Sequence, residues 1–143
     1  MISEEELNRI SNVVIGCAIE MHKALGPGLL ESAYQQCLAW DLRQMGLAIQ
    51  EQIAVPIQYK DLVVTDAYRI DILVETELIL ELKAVERIEP VHMAQLLTYL
   101  RSNKSRLGLL LNFNVDSMRK GIKRVVNNLR FSLRELRVFA SLR

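Results

Sequence analysis

Apolar residues at the start of the chain recur every three to four positions. Leu7, Ile10, Val14, Cys17, Ala18 and Met21 fall on one side of a helix. Ser3 and Glu6 stand before them at capping-box spacing, in which each side chain satisfies a free backbone N–H of the first turn. Gly26-Pro27-Gly28 ends this helix near Leu25. A second helix is expected from about Leu29 to Met45. Leu30, Ala33, Tyr34, Cys37 and Leu38 mark its buried side, and Gly46 is its C-cap.

The period then drops to two. Ile53, Val55, Ile57 and Tyr59 alternate with Ala54, Pro56 and Gln58, which predicts a strand, and Pro56 assigns it to an edge or a bulge. Lys60-Asp61 reads as a turn into Leu62-Val63-Val64-Thr65. Arg69–Val74 and Leu78–Val85 are apolar enough for central strands, and Glu75-Thr76-Glu77 joins them as a hairpin. Pro90 opens a third helix that runs to about Arg101. Leu107–Phe113 is a further strand. A fourth helix, capped by Asp116 or Ser117, would turn Met118, Ile122, Val125, Val126 and Leu129 inward, and Arg119, Lys120, Lys123 and Arg124 outward. Phe131–Arg143 fits strand and helix equally. The order α, α, antiparallel strands, α, β, α predicts an α+β mixed sheet with helices packed on it. No repeat or linker divides residues 1–143, so one domain is expected.

Composition narrows the class. The chain has 143 residues, 50% hydrophobic and 24% charged, with six Gly and three Pro, which excludes disorder and collagen-like repeats. No apolar run approaches the roughly 18 residues of a membrane span, and the N-terminus lacks the basic and apolar regions of a signal peptide. With Cys17 and Cys37 read as buried thiols, a cytoplasmic protein is expected. Two His without ligand spacing to the cysteines argue against zinc. The net charge of +1 hides an asymmetry: residues 1–100 hold seven Lys/Arg and fifteen Asp/Glu, residues 101–143 eleven and two. An acidic centre for cations with a basic surface for polyanions is one reading, and mutual neutralisation of the two parts is the other. Eight aromatic residues, most of them expected in the core, leave no platform for stacking bases.

The informative anomaly is charge inside an apolar strand. Glu81 and Lys83 interrupt Leu78–Val85 and, two apart, share a face. If the hairpin turn centres on Thr76, Asp71 stands directly opposite Glu81, with Cβ atoms roughly 5 Å apart; a two-residue turn would instead set the carboxylates diagonal or on opposite faces. A divalent cation would relieve the repulsion between these carboxylates, and Mg²⁺ takes one or two carboxylates with waters and phosphate oxygens. A structural salt bridge from Lys83 fits the same residues. On the third helix His92, Gln95 and Tyr99 share a face, largely apart from Val91, Ala94, Leu97 and Leu100. Glu31 lies near the second helix's N-terminus, where a carboxylate is also simply favourable.

Together these residues resemble a known family. Gly28-Leu-Leu-Glu31-Ser-Ala-Tyr34 matches the G-x-x-E-x-x-Y signature of the GxxExxY family. Asp71 followed by Glu81-Leu82-Lys83 is similar to the signature of the PD-(D/E)XK nuclease superfamily, with Ile70 where its name has Pro. Gln95-Leu-Leu-Thr-Tyr99 resembles the Q-x-x-x-Y motif of the RecB-like branch. The resemblance implies a restriction-endonuclease-like α-β-β-β-α-β core, with a mixed central sheet flanked by helices. It implies that Glu31, Asp71 and Glu81 bind Mg²⁺ or Mn²⁺, with the Leu82 carbonyl as a further ligand. Lys83 would orient the attacking water or stabilise phosphate charge, and Gln95 and Tyr99 would brace the site and touch phosphate.

The expected function is metal-dependent hydrolysis of phosphodiester bonds, in DNA rather than RNA, with Arg119, Lys120, Lys123 and Arg124 holding the nucleic-acid backbone. The alternatives are a non-catalytic nucleic-acid- or protein-binding module on the same fold, and a structural partner whose basic part docks on an acidic subunit. His22 is expected to pack or hydrogen-bond rather than react. Apolar residues of the tail (Phe131, Leu133, Leu136, Val138, Phe139) would finish the core or form a homodimer interface. No membrane association is expected.

Overall fold

The computed structural model describes residues 1–127. Two helices, α1 (Glu4–Leu25) and α2 (Glu31–Gln44), precede strands β1 (Ile49–Tyr59), β2 (Leu62–Val74) and β3 (Leu78–Lys83). Helix α3 (Pro90–Asn103), strand β4 (Leu107–Asn112), a 3₁₀ turn (Met118–Gly121) and strand β5 (Ile122–Val126) follow. The sheet order is β1-β2-β3-β4-β5, antiparallel except for the parallel β3–β4 pair. Helix α3 makes the crossover that a parallel pair requires. From α2 to β4 this is the expected α-β-β-β-α-β order. No helix among the described residues is long and apolar enough to cross a membrane.

Two apolar layers sandwich the sheet. Leu7, Ile10, Val14, Ala18 and Met21 of α1 and Tyr34, Leu38 and Leu42 of α2 pack on Ile72, Val74, Leu78, Leu80, Leu82, Leu109 and Leu111. On the other side Leu96, Tyr99 and Leu100 of α3 pack on Val55, Ile70, Leu73, Ile79 and Leu110. Gly108 has no Cβ because one would press on Leu96 Cδ1 at 2.8 Å.

The hairpin β1–β2 changes layers along its length. At its base Ile49, Ile72 and Val74 join the α1/α2 core, whereas further out Ile53, Val55, Tyr68 and Ile70 join the α3 core. Residues two apart share a face in a regular strand, so the pleat reverses on both strands between these groups. The reversal falls at Gln52 and Asp71, the pair left out between Glu51↔Ile72 and Ile53↔Ile70. Pro56 lies further out on this edge strand, within a register shift between Val55 and Ile57.

Several expectations are corrected. The fourth helix is instead the 3₁₀ turn and β5. Gly121 lies against the Asn112 carbonyl, where a Cβ would collide, and the β-branched Ile122, Val125 and Val126 pair with the open edge of β4. Arg119 and Lys120 therefore sit in the turn, while Lys123 and Arg124 point to opposite faces of β5. Only half of the α1 capping box forms: Ser3 Oγ accepts the Glu6 N–H at 3.0 Å, but the Glu6 carboxylate turns to Arg9. Leu30 precedes α2 in extended conformation and is exposed. Tyr34, Leu38 and Leu42 form the buried stripe of α2, leaving Cys37 exposed, and Cys17 is only half-buried. Trp40 and Tyr59 are exposed. On α3, Val91 and Ala94 face solvent, because Tyr99 turns inward against Tyr68 at 4.5 Å between ring centroids. The expectations for Leu129 and for residues 131–143 lie outside the described residues.

Candidate active site

The carboxylates meet where the β2–β3 ladder stops. Its pairs Val74↔Leu78, Leu73↔Ile79 and Ile72↔Leu80 are those of a turn centred on Thr76, and the next opposed pair is Asp71 and Glu81. There the side chains take over the interstrand hydrogen bonds. Glu81 Oε1 accepts the Asp71 backbone N–H at 3.1 Å, and Asp71 Oδ2 accepts the Leu82 N–H at 2.9 Å.

Glu31 reaches the chain just beyond β3 from α2, where its Oε1 accepts the Ala84 N–H at 3.1 Å. The Gly28–Tyr34 motif explains how it gets there. Gly26 and Gly28 have φ of 68° and 106°, backbone that only glycine adopts readily. The Tyr34 hydroxyl donates to the Gly26 carbonyl at 2.6 Å and accepts the Leu29 N–H at 3.2 Å. Its ring is fully buried and stacks on Phe113, with centroids 4.5 Å apart. One residue thus fastens the loop that sets Glu31 at the start of α2.

The electrostatics are those of charge under strain. Glu81 is 5% exposed. Burial, then the nearby Asp71 charge, pushes its carboxyl up to about 8, against the pull of Lys83. Burial also raises Asp71, partly offset by its hydrogen bonds from Leu82 and Gln52 and by the Lys83 charge. Tyr99 enters from the α3 side; burial and the charges of Glu81 and Asp71 push its hydroxyl up to about 12. Lys83, at the end of β3, has no ion-pair partner within 4.0 Å among the described residues, and neither do Glu31, Asp71 or Glu81. The salt-bridge explanation therefore does not hold here. Gln95 is exposed and makes no hydrogen bond among the described residues, and His92 is used as a cap: its Nδ1 accepts the Glu89 N–H at 2.9 Å.

Sequence reasoning missed three residues here. Gln52 donates to Asp71 Oδ1 at 3.2 Å and to Gln35 Oε1 at 2.7 Å. Starting the strand at Ile53 leaves Gln52 outside it, whereas β1 begins at Ile49. The third is Asn112, buried at the end of β4, which exchanges hydrogen bonds with the Val85 backbone and so fixes the chain just beyond Lys83. A cleft of about 480 Å³ opens over Glu31, Gln35, Gln52 and Asp71.

Outside this centre, His22 packs near Phe113 and its Nε2 hydrogen-bonds the Val115 carbonyl at 2.9 Å. Arg124 is held by Asn8 at 2.6 Å, and Lys120 pairs with Asp116 at 3.1 Å.

No three His, Cys, Asp or Glu side chains converge as a ready-made metal cage among the described residues. The donors nevertheless suit a hard cation. Mg²⁺ binds through one or two carboxylates completed by water and phosphate oxygens, rather than through an all-protein cage. Asp71 and Glu81 offer such a pair, with no side-chain ion-pair partner among the described residues.

No curated protein and no solved structure is significantly similar to the chain. A family model, that of the PD-(D/E)XK nuclease superfamily, matches residues 8–125. With the mixed sheet, the opposed Asp71 and Glu81, and Lys83 two residues beyond, the match places this chain in the PD-(D/E)XK nuclease superfamily.

Proposed function

We propose that the protein is a Mg²⁺- or Mn²⁺-dependent nuclease cleaving phosphodiester bonds in DNA, of the GxxExxY kind within the RecB-like branch. The observation that carries this reading is the carboxylate pair Asp71 and Glu81, opposed at the end of a ladder with no ion-pair partner within 4.0 Å among the described residues.

Asp71 and Glu81 would hold the metal, with Glu31 joining from α2 once it releases the Ala84 N–H. When bound, a divalent ion supplies a Lewis acid for the phosphoryl oxygen and an acidified water. The chain's own residues would do the rest. Lys83, without an ion-pair partner among the described residues, would orient the water and offset charge developing on the phosphate. Tyr99, with its raised pKa, stays a protonated donor at the edge of the pair. Gln95 on the exposed side of α3 would meet the phosphate. Lys120 and Lys123 would hold the backbone further out, with Arg119, whereas Arg124 is committed to Asn8.

One observation favours the binding module instead: each carboxylate already accepts a backbone N–H. The deciding experiment incubates the protein with supercoiled plasmid and with single-stranded DNA, in Mn²⁺, Mg²⁺ or EDTA, beside an Asp71→Asn preparation. Metal-dependent cleavage that vanishes in the variant supports the nuclease. Equal cleavage by both, or none by either, rejects it in favour of the module.

A further inference from the structure

We infer that Gln52 is a positioning residue for Asp71, holding its carboxylate in the cleft and tying it through Gln35 to the helix that carries Glu31. Its catalytic consequence rests on the nuclease reading; its geometry does not.

The backbone gives the first argument. Gln52 has φ 51°, in the left-handed region, within a strand whose neighbours pair in register on both sides. Glutamine lacks the short side chain that lets Asn or Asp settle there, and a non-glycine residue in this region carries a steric cost. Glycine would remove that cost. The side chain compensates by reaching Asp71 and Gln35 with the two N–H groups of a single amide nitrogen.

The polarity of the network gives the second. Arg43 donates to Glu51 at 3.0 Å, and Glu51 accepts from Gln35 Nε2 at 3.2 Å. Gln35 must therefore present its carbonyl to Gln52. Gln52 must answer with its nitrogen, which turns the remaining N–H toward Asp71. A flipped amide would set an oxygen against the carboxylate. The acceptor-only carboxylate of Glu51 thus fixes, three hydrogen bonds away, that Asp71 meets a donor. Gln35 also lies four residues after Glu31, on the same face of α2. The network therefore links the two elements whose carboxylates must act together.

The test compares wild type with Gln52→Gly, which keeps the left-handed backbone, and Gln52→Met, which keeps the length but loses the donor without adding charge. Melting temperature, Mn²⁺ affinity by titration calorimetry, and kcat and KM on plasmid DNA are measured for each. Gln52→Gly is expected to melt no lower than wild type. Both variants are expected to bind Mn²⁺ or turn over about 10–100-fold less well, with KM for DNA little changed. Wild-type Mn²⁺ affinity and kcat in Gln52→Gly would overturn the inference. Should wild type itself neither bind Mn²⁺ nor cleave, the nuclease reading fails and the geometry is judged alone. A double-mutant cycle of Gln52→Ala with Asp71→Ala on unfolding equilibria then decides: coupling supports the inference, and strict additivity overturns it.

Discussion

Asp71 and Glu81 each accept a backbone N–H across the gap between β2 and β3, Glu81 from Asp71 itself and Asp71 from Leu82. The two side chains substitute for a stretch of ladder. Moving either toward a ligand therefore frees a main-chain donor.

Glu81 makes stability depend on pH with a definite sign. Its carboxyl is raised from 4.5 to about 8 in the folded protein, so between those values the folded state holds a proton that the unfolded state has lost. Stability should fall as pH rises through that window. Melting in EDTA from pH 5 to 9 should show this decline, and Glu81→Gln should flatten it. A variant with the wild-type slope would put the linkage elsewhere.

A cation should reverse that penalty. Mn²⁺ at about a hundred times its dissociation constant adds roughly 2.7 kcal/mol, a rise in melting temperature on the order of 5–10 °C. Glu81→Gln should gain much less. Equal gains in both proteins would remove Glu81 from the ligand set.

Lys83→Ala should lower the melting temperature only slightly, because the amine makes no ion pair within 4.0 Å among the described residues and acts on Asp71 and Glu81 only through its charge at longer range. Cleavage should drop at least about a hundredfold. Undiminished turnover would mean that this lysine is a solvated end of β3.

Tyr34→Phe removes two hydrogen bonds from the loop before α2 while keeping the stack on Phe113. A loss of about 1–2 kcal/mol is expected, visible in urea unfolding, with slower cleavage as Glu31 loses its fixed position. Gly28→Ala, at φ 106°, should cost as much through backbone strain alone. Unaltered unfolding in both would show that the motif does not fasten the loop.

Charge reversal at Lys120 and Lys123 should weaken DNA binding and lower its salt slope by about one for each phosphate left without its lysine. Arg124→Glu should instead act on stability, since Arg124 grips Asn8 on α1. Binding insensitive to the lysine changes would make them ordinary surface charges.

The hairpin register, the Gly26–Gly28 break and the Pro90 helix start were legible because each rests on local chemistry: turn length, a forced φ, a missing N–H. The segment after Asp116 was not. Met118, Ile122 and Val125 satisfy helical spacing as well as they satisfy a strand. What decides is tertiary: the open edge of β4, and the Asn112 carbonyl against Gly121. The pairing of Asp71 with Glu81 follows from arithmetic along the chain only once the turn is centred on Thr76, which the ladder shows, and Gln52 was beyond that arithmetic. Ile49, Ile53 and Val55 share one odd-numbered phase, interrupted only by Glu51, and that polar position alone does not tell that Ile49 and Ile53 serve different cores.

That division bears on how a polar centre survives inside a small protein. A sheet that keeps one phase throughout must either interrupt its apolar layer to admit charge or push the charge to its rim. Here the base of the hairpin answers to α1 and α2, its outer arm answers to α3, and the allegiance changes at Gln52 and Asp71. The carboxylate of Asp71 occupies the border between two cores, where neither is cut.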